Sequence, residues 1–298
     1  MRQNDERLMR NNVWRLALSL LLLLPGCFSL DSFLFDPTRV TEYFQPADMD
    51  TSWHVRGIIP DTLREAVTLF GLDSNKVYGF YVTALPDTDD PSREHPTVIY
   101  CHGNGQNINR YWGRVELLWE AGCNVFIFDY EGYGKSEGSP SGPACYADGE
   151  AALNYVLCRS DVDTAKLVYY GWSLGSFVAT HLAADIRHPA CHILENPIAS
   201  TSALAKEGAV VAIPGSFVAD ADFDNEERLP LVETRVLIVY GKNDDTAVPE
   251  RNAEVLIDKA RSWVELETLR VDNGGHSDIP EALGYDKYRE LISEFIND

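Results

Sequence analysis

Apolar residues in this chain gather in short, nearly continuous runs, at 97–101, 125–128, 167–170, 191–194 and 235–240. A run of four to six apolar residues without alternation predicts a strand covered on both faces. Residues 76–82 alternate imperfectly, as an early strand would, and 265–271 supply one more strand. Between the strands lie helix-like spans at 108–121, 144–157, 174–187, 250–260 and 285–296. This alternation predicts an α/β fold, a mostly parallel sheet flanked by helices. The rhythm breaks at 198–231, which is read as a short cap over a domain running from 61 to 298.

The first thirty residues follow another logic. Arg2, Arg7, Arg10 and Arg15 precede an apolar core at 16–24 that is too short to cross a bilayer and has signal-peptide length. Residues 1–27 are therefore expected to be an export signal, and 28–60 a tether or irregular leading segment. The signal closes on Leu24-Pro25-Gly26-Cys27, which resembles the bacterial lipoprotein box, with a proline where that box usually has a small residue. The resemblance implies lipidation of Cys27 and attachment to a membrane surface of the cell envelope. An ordinary secretory signal, giving a secreted or periplasmic protein, and an uncleaved anchor are the alternatives.

A net charge of −21 argues against nucleic acid as a partner, because phosphate recognition needs lysines and arginines. Without Cys27, five cysteines remain, so at least one stays unpaired within a single chain. No Cys/His/Asp set has metal-ligand spacing, and no cofactor is expected. Gly134-Lys135-Ser136 resembles the end of a phosphate-binding loop, yet Asp129 stands where its first glycine belongs.

In open parallel sheets, sites form at the carboxyl ends of the strands. After 167–170 comes Gly171-Trp172-Ser173-Leu174-Gly175, directly before a helix-like span. A serine between two glycines at a strand-to-helix junction is the pattern of a nucleophile elbow. After 97–101 comes His102-Gly103-Asn104-Gly105, whose small residues leave backbone N–H groups open to a developing negative charge. Hydrolases built on such an elbow take one oxyanion donor from the residue after the nucleophile, here Leu174, and one from this earlier loop, here Asn104. His102 is expected to shape that loop.

A serine hydroxyl needs an imidazole to take its proton, and the imidazole needs a carboxylate to orient it. Only His276, in Asn273-Gly274-Gly275-His276-Ser277, follows a C-terminal strand, and its glycines allow the ring to fold back toward Ser173. For the acid, the loop 240–249 offers adjacent candidates. Counting back from Val248-Pro249 favours Asp245, and counting forward from Gly241 favours Asp244.

With Phe128-Asp129-Tyr130-Glu131-Gly132-Tyr133-Gly134-Lys135-Ser136 and Leu194-Glu195-Asn196-Pro197 added, the ordered motifs resemble the α/β-hydrolase superfamily. Within it they are similar to the small-cap serine hydrolases, the branch that includes depalmitoylating thioesterases. The likeness spans residues 75–298. It implies Ser173 as nucleophile, His276 as base, Asp245 as orienting acid with Asp244 as the alternative, and the amides of Asn104 and Leu174 as oxyanion donors. Two departures stand out: Glu131 where the branch usually has arginine, and one extra residue between Gly241 and Pro249.

The expected function is cleavage of a carboxylic ester or thioester through an acyl-serine. The alternatives are an amide-cleaving peptidase and a non-catalytic, membrane-tethered binding or scaffold protein with this fold. Partners are then a small-molecule or acyl substrate and a membrane surface. Leu204, Val210, Val211, Ile213, Phe217 and Phe223 are the apolar candidates for an acyl pocket in the cap, and packing against the main domain is their other reading.

Overall fold

In the computed structural model, residues 35–44, 55–86, 94–206, 223–262 and 264–298 are described, without the side chains of 204–206. The expected export signal with Cys27, parts of the leading segment, and cap residues 207–222, including Val210, Val211, Ile213 and Phe217, lie outside them. The side chain of Leu204 does too.

Eight strands form one sheet in the order β1-β2-β4-β3-β5-β6-β7-β8. They are β1 (Arg64–Phe70), β2 (Lys76–Val82), β3 (Thr97–Cys101), β4 (Asn124–Phe128), β5 (Leu167–Trp172), β6 (Cys191–Glu195), β7 (Arg235–Gly241) and β8 (Leu266–Val271). The pairs β1/β2 and β2/β4 are antiparallel, and every other neighbouring pair is parallel. The helices are α1 (Ile108–Glu120), α2 (Gly142–Leu157), α3 (Gly175–His181), α4 (Thr201–Lys206), α5 (Asn225–Arg228), α6 (Ala253–Ala260), α7 (Ile279–Leu283) and α8 (Tyr285–Asn297). Where a helix was expected over 174–187, α3 passes into a single wider π-type turn, Leu182–Ile186.

The apolar strands are unbroken because successive residues serve two cores. Ile99, Phe126, Tyr169, Leu194 and Ile238 face a core shared with Leu153 of α2, Phe177 of α3 and Leu256 of α6. Their neighbours Val98, Val125, Val168, Ile193 and Leu237 face a second core with Trp112 and Val115 of α1 and Tyr288 and Ile292 of α8. Burial of each such side chain contributes roughly 1.5–3 kcal/mol.

Two features lay outside the sequence pattern. Edge strand β1 buries only Val67 and Leu69. Residues 35–44 form a strap across two loops. Thr38 N donates to Gln106 O at 3.0 Å, Val40 N to Gly134 O at 3.0 Å, and the Tyr43 hydroxyl to Asp129 Oδ2 at 2.6 Å. None of the five cysteines among the described residues forms a disulfide. No helix among those residues is long and apolar enough to cross a membrane.

Candidate active site

Ser173 sits where β5 turns into α3, with φ at +51°, a left-handed conformation that costs an L-residue about 1–2 kcal/mol. The turn is tight enough to require its glycines. A Cβ on Gly175 would lie 1.9 Å from Cys101 O, and one on Gly171 would lie 2.7 Å from Gly175 O. Ser173 N donates to Glu195 O at 3.0 Å, which fixes the elbow to the end of β6. The serine is buried to 5% exposure, with its hydroxyl at one edge of an imidazole.

That imidazole is His276. Its Nε2 lies 2.9 Å from Ser173 Oγ and its Nδ1 lies 2.7 Å from Asp244 Oδ2. A carboxylate can only accept, so Nδ1 carries the proton and Nε2 presents its lone pair to the serine hydroxyl. The other oxygen of Asp244 accepts from Thr246 N at 2.9 Å and Ala247 N at 2.8 Å. These bonds hold the carboxylate in a turn at 4% exposure, aimed at the ring.

The carboxylate that meets the imidazole is thus Asp244, and not the Asp245 expected from the resemblance. Asp245 is exposed, and its nearest hydrogen-bonding group is the Thr246 hydroxyl at 3.5 Å. Counting back from Val248-Pro249 misplaces the acid because the extra residue lies after it. Once Asp244 closes the turn onto the amides two and three residues ahead, its neighbour projects outward.

His102 is fully buried, with its Nε2 3.3 Å from Asp129 Oδ1. It stacks on Tyr111 with ring centroids 4.6 Å apart, and its Nδ1 is 2.8 Å from Gly103 O. The Tyr111 hydroxyl lies within 3.1 Å of the carbonyls of Gly103, Asn104 and Gly105. In a trans peptide the C=O and N–H point oppositely, so the Asn104 N–H faces away from Tyr111. The Asn104 side chain is a loop brace, accepting from Asp36 N at 2.8 Å, Gly105 N at 2.9 Å and the Tyr133 hydroxyl at 2.6 Å. Leu174 enters α3 with helical dihedrals, so its N–H belongs to a first turn that has no intrahelical acceptor.

Glu131 lies in a separate polar cluster. Its backbone N–H donates to Asp148 Oδ2 at 2.7 Å, and its Oε2 accepts from Asn75 Nδ2 at 2.9 Å. Of the acyl-pocket candidates, Phe223 is core, stacked on Phe177 at 4.7 Å. A cleft of about 170 Å³ lies elsewhere, against Trp172, Tyr111, Leu117, Tyr285 and Ser277. Among the described residues, no group of three His, Cys, Asp or Glu side chains could hold a metal.

Sequence reasoning missed several residues that frame this arrangement. Arg114 is half-buried and pairs with Glu195, whose Oε2 also accepts from the Tyr288 hydroxyl at 2.8 Å. Trp172 Nε1 donates to His276 O at 3.1 Å. Asn196 stood within a quoted motif, but its contacts lie some eighty residues away in the chain.

Residues 96–207 match the family described as alpha/beta hydrolase fold. The uncharacterized protein YfhR of Escherichia coli O157:H7 is 31% identical over 236 residues, covering 78% of this chain and 80% of that one. The chain belongs to the α/β-hydrolase fold family. Another relative in this family, the uncharacterized protein Rv2307c of Mycobacterium tuberculosis, is 33% identical over 228 residues, 76% of each chain. Among solved structures, the Pyrococcus furiosus esterase Pf2001 superposes with a TM-score of 0.66 at 16% identity, covering 88% of this chain and 96% of that one. An acylaminoacyl peptidase superposes with a TM-score of 0.63 at 12% identity, covering 79% and 41%. The hydrolase fold is thus shared with both an ester-cleaving and a peptide-cleaving protein.

Proposed function

We propose that the protein is a serine hydrolase that cleaves a carboxylic ester or thioester through an acyl intermediate on Ser173. The observation that carries this reading is the continuous path from Ser173 Oγ through His276 to Asp244, at 2.9 Å and 2.7 Å. In the proposed reaction Oγ attacks the acyl carbon while Nε2 takes its proton, and Asp244 stabilises the imidazolium. The amides of Leu174 and Asn104 are the proposed donors to the oxyanion. As the tetrahedral species collapses, the proton passes from Nε2 to the departing alcohol or thiol. Water repeats the sequence, releasing the acid and restoring the serine.

The substrate reading follows the likeness to depalmitoylating thioesterases, and the cleft beside Trp172 is where part of the substrate would lie. The location reading rests on sequence alone: an apolar core at 16–24 followed by Cys27 supports export and lipid attachment at a membrane surface. A non-catalytic binder has no use for an imidazole held between a serine and a carboxylate.

Intact-mass labelling with a fluorophosphonate tests the proposal. The parent chain should gain one adduct, lost in Ser173→Ala, and His276→Ala should lose both labelling and turnover of short acyl esters. An unlabelled, folded parent chain would favour the binder. Labelling with turnover of acyl amides alone would replace the ester reading by the peptidase one.

A further inference from the structure

The loop carrying His276 is held from outside by its carbonyls. Gly275 O accepts from Asn196 Nδ2 at 2.9 Å, and His276 O accepts from the same nitrogen at 2.7 Å. The amide's other end faces the acid. Asn196 Oδ1 accepts from Gly241 N at 2.8 Å, at the start of the loop that carries Asp244. The Asn196 backbone N–H donates to Val239 O of β7 at 2.9 Å. One side chain at the end of β6 therefore bonds both the base loop and the acid loop.

The two loops touch where that side chain joins them. A Cβ on Gly241 would lie 2.5 Å from both Gly274 O and Gly275 O, so the contact is backbone against backbone. Asn196 is 1% exposed and has φ at +42°. Asparagine is among the few side chains that tolerate this conformation, and its amide supplies donor and acceptor together. Glycine would keep the backbone and lose every side-chain bond. Aspartate would keep the shape and the acceptor and lose the donor.

We infer that Asn196 is a positioning residue, which fixes the base loop to the acid loop and so sets the distance between His276 and Asp244. The inference rests on the serine-hydrolase reading above. Its side-chain hydrogen bonds go to backbone groups of the two loops, and it acts through them. A misplacement of about 1 Å in such a constellation costs on the order of a hundredfold in rate.

The test is a double-mutant cycle on turnover of a short acyl ester, using the full chain. Asn196→Gly should lower kcat at least about tenfold, with KM within about twofold. In an Asp244→Ala background, where the partner to be positioned is gone, the same change should cost less than about twofold. Equal fold-losses in both backgrounds, or parental kcat in Asn196→Gly, would overturn the inference. If Asn196→Gly does not fold, Asn196→Asp replaces it with the same criteria. Fluorophosphonate labelling of the parent separates the two levels: an unlabelled parent sinks the hydrolase reading and this inference together, whereas a labelled parent with an indifferent Asn196→Gly sinks only the latter.

Discussion

Asp244 accepts the Nδ1 proton of His276 at 2.7 Å, while Asp245, one peptide further on, faces solvent. The two aspartates are therefore predicted to differ sharply in consequence. Asp244→Asn should lower kcat by about 10³- to 10⁴-fold, by analogy with other triads in which the acid becomes an amide and the imidazole takes the wrong tautomer. Asp245→Asn should stay within about threefold of the parent. Steady-state turnover of a short acyl ester by both variants decides it, and a large loss in Asp245→Asn with near-parental Asp244→Asn would return the acid assignment to Asp245.

The left-handed conformation of Ser173 predicts an ordering of inactive variants. Ser173→Gly should be more stable than Ser173→Ala by about 1 kcal/mol, because glycine adopts φ near +51° without a Cβ penalty. Denaturant midpoints at equal slope read this directly. Alanine equal to or above glycine would mean that the elbow carries no backbone strain.

His192 is buried with Nε2 3.1 Å from the Thr180 hydroxyl and Nδ1 3.2 Å from Tyr169 O. Burial lowers its pKa to about 4. The unfolded chain takes up this proton near pH 6.5 and the folded chain only near 4, so stability falls as pH drops through that window. The loss for this one group is on the order of 3 kcal/mol. His192→Gln should flatten the dependence of the urea midpoint on pH between 6.5 and 4, and an unchanged slope would exclude His192 as its source.

Asp148 and Glu131 predict the opposite slope. Burial raises the pKa of both carboxyls, and neither Asp148 Oδ1 nor Glu131 Oε1 has a hydrogen-bond partner among the described residues. The folded chain retains protons that the unfolded chain releases above the usual carboxylate range, so this pair weakens the fold as pH rises. Asp148→Asn can still accept from Glu131 N and cannot ionise. It should raise the urea midpoint at pH 8 and leave it unchanged at pH 4; a loss at pH 8 would mean that the ionised pair is stabilising.

Strands β3 to β7 were legible because they are covered on both faces and read as nearly continuous apolar runs, whereas β8, also parallel, buries only Val271. Edge strand β1 was not, since only Val67 and Leu69 face the core and its other residues meet solvent. The strap at 35–44 has no periodicity to detect, because much of its attachment is through backbone groups. Ser173 and His276 stood out by their glycines and their places after strands, and the structure brings those two together. The acid was ambiguous by one residue because loop length alone does not tell which aspartate closes the turn. Arg114, Trp172 and Asn196 act through partners far along the chain, which no local pattern records.

The strap at 35–44 braces the loop that carries Asn104. Asp36 N holds the side chain of Asn104, and Thr38 meets Gln106 and Asn107 on the same loop. A fragment trimmed to start beyond residue 44 would still contain Ser173, His276 and Asp244, yet the loop around Asn104 would have lost one of its two sides. Conversely, tension applied upstream of Phe35 reaches that loop through a few hydrogen bonds without crossing the sheet.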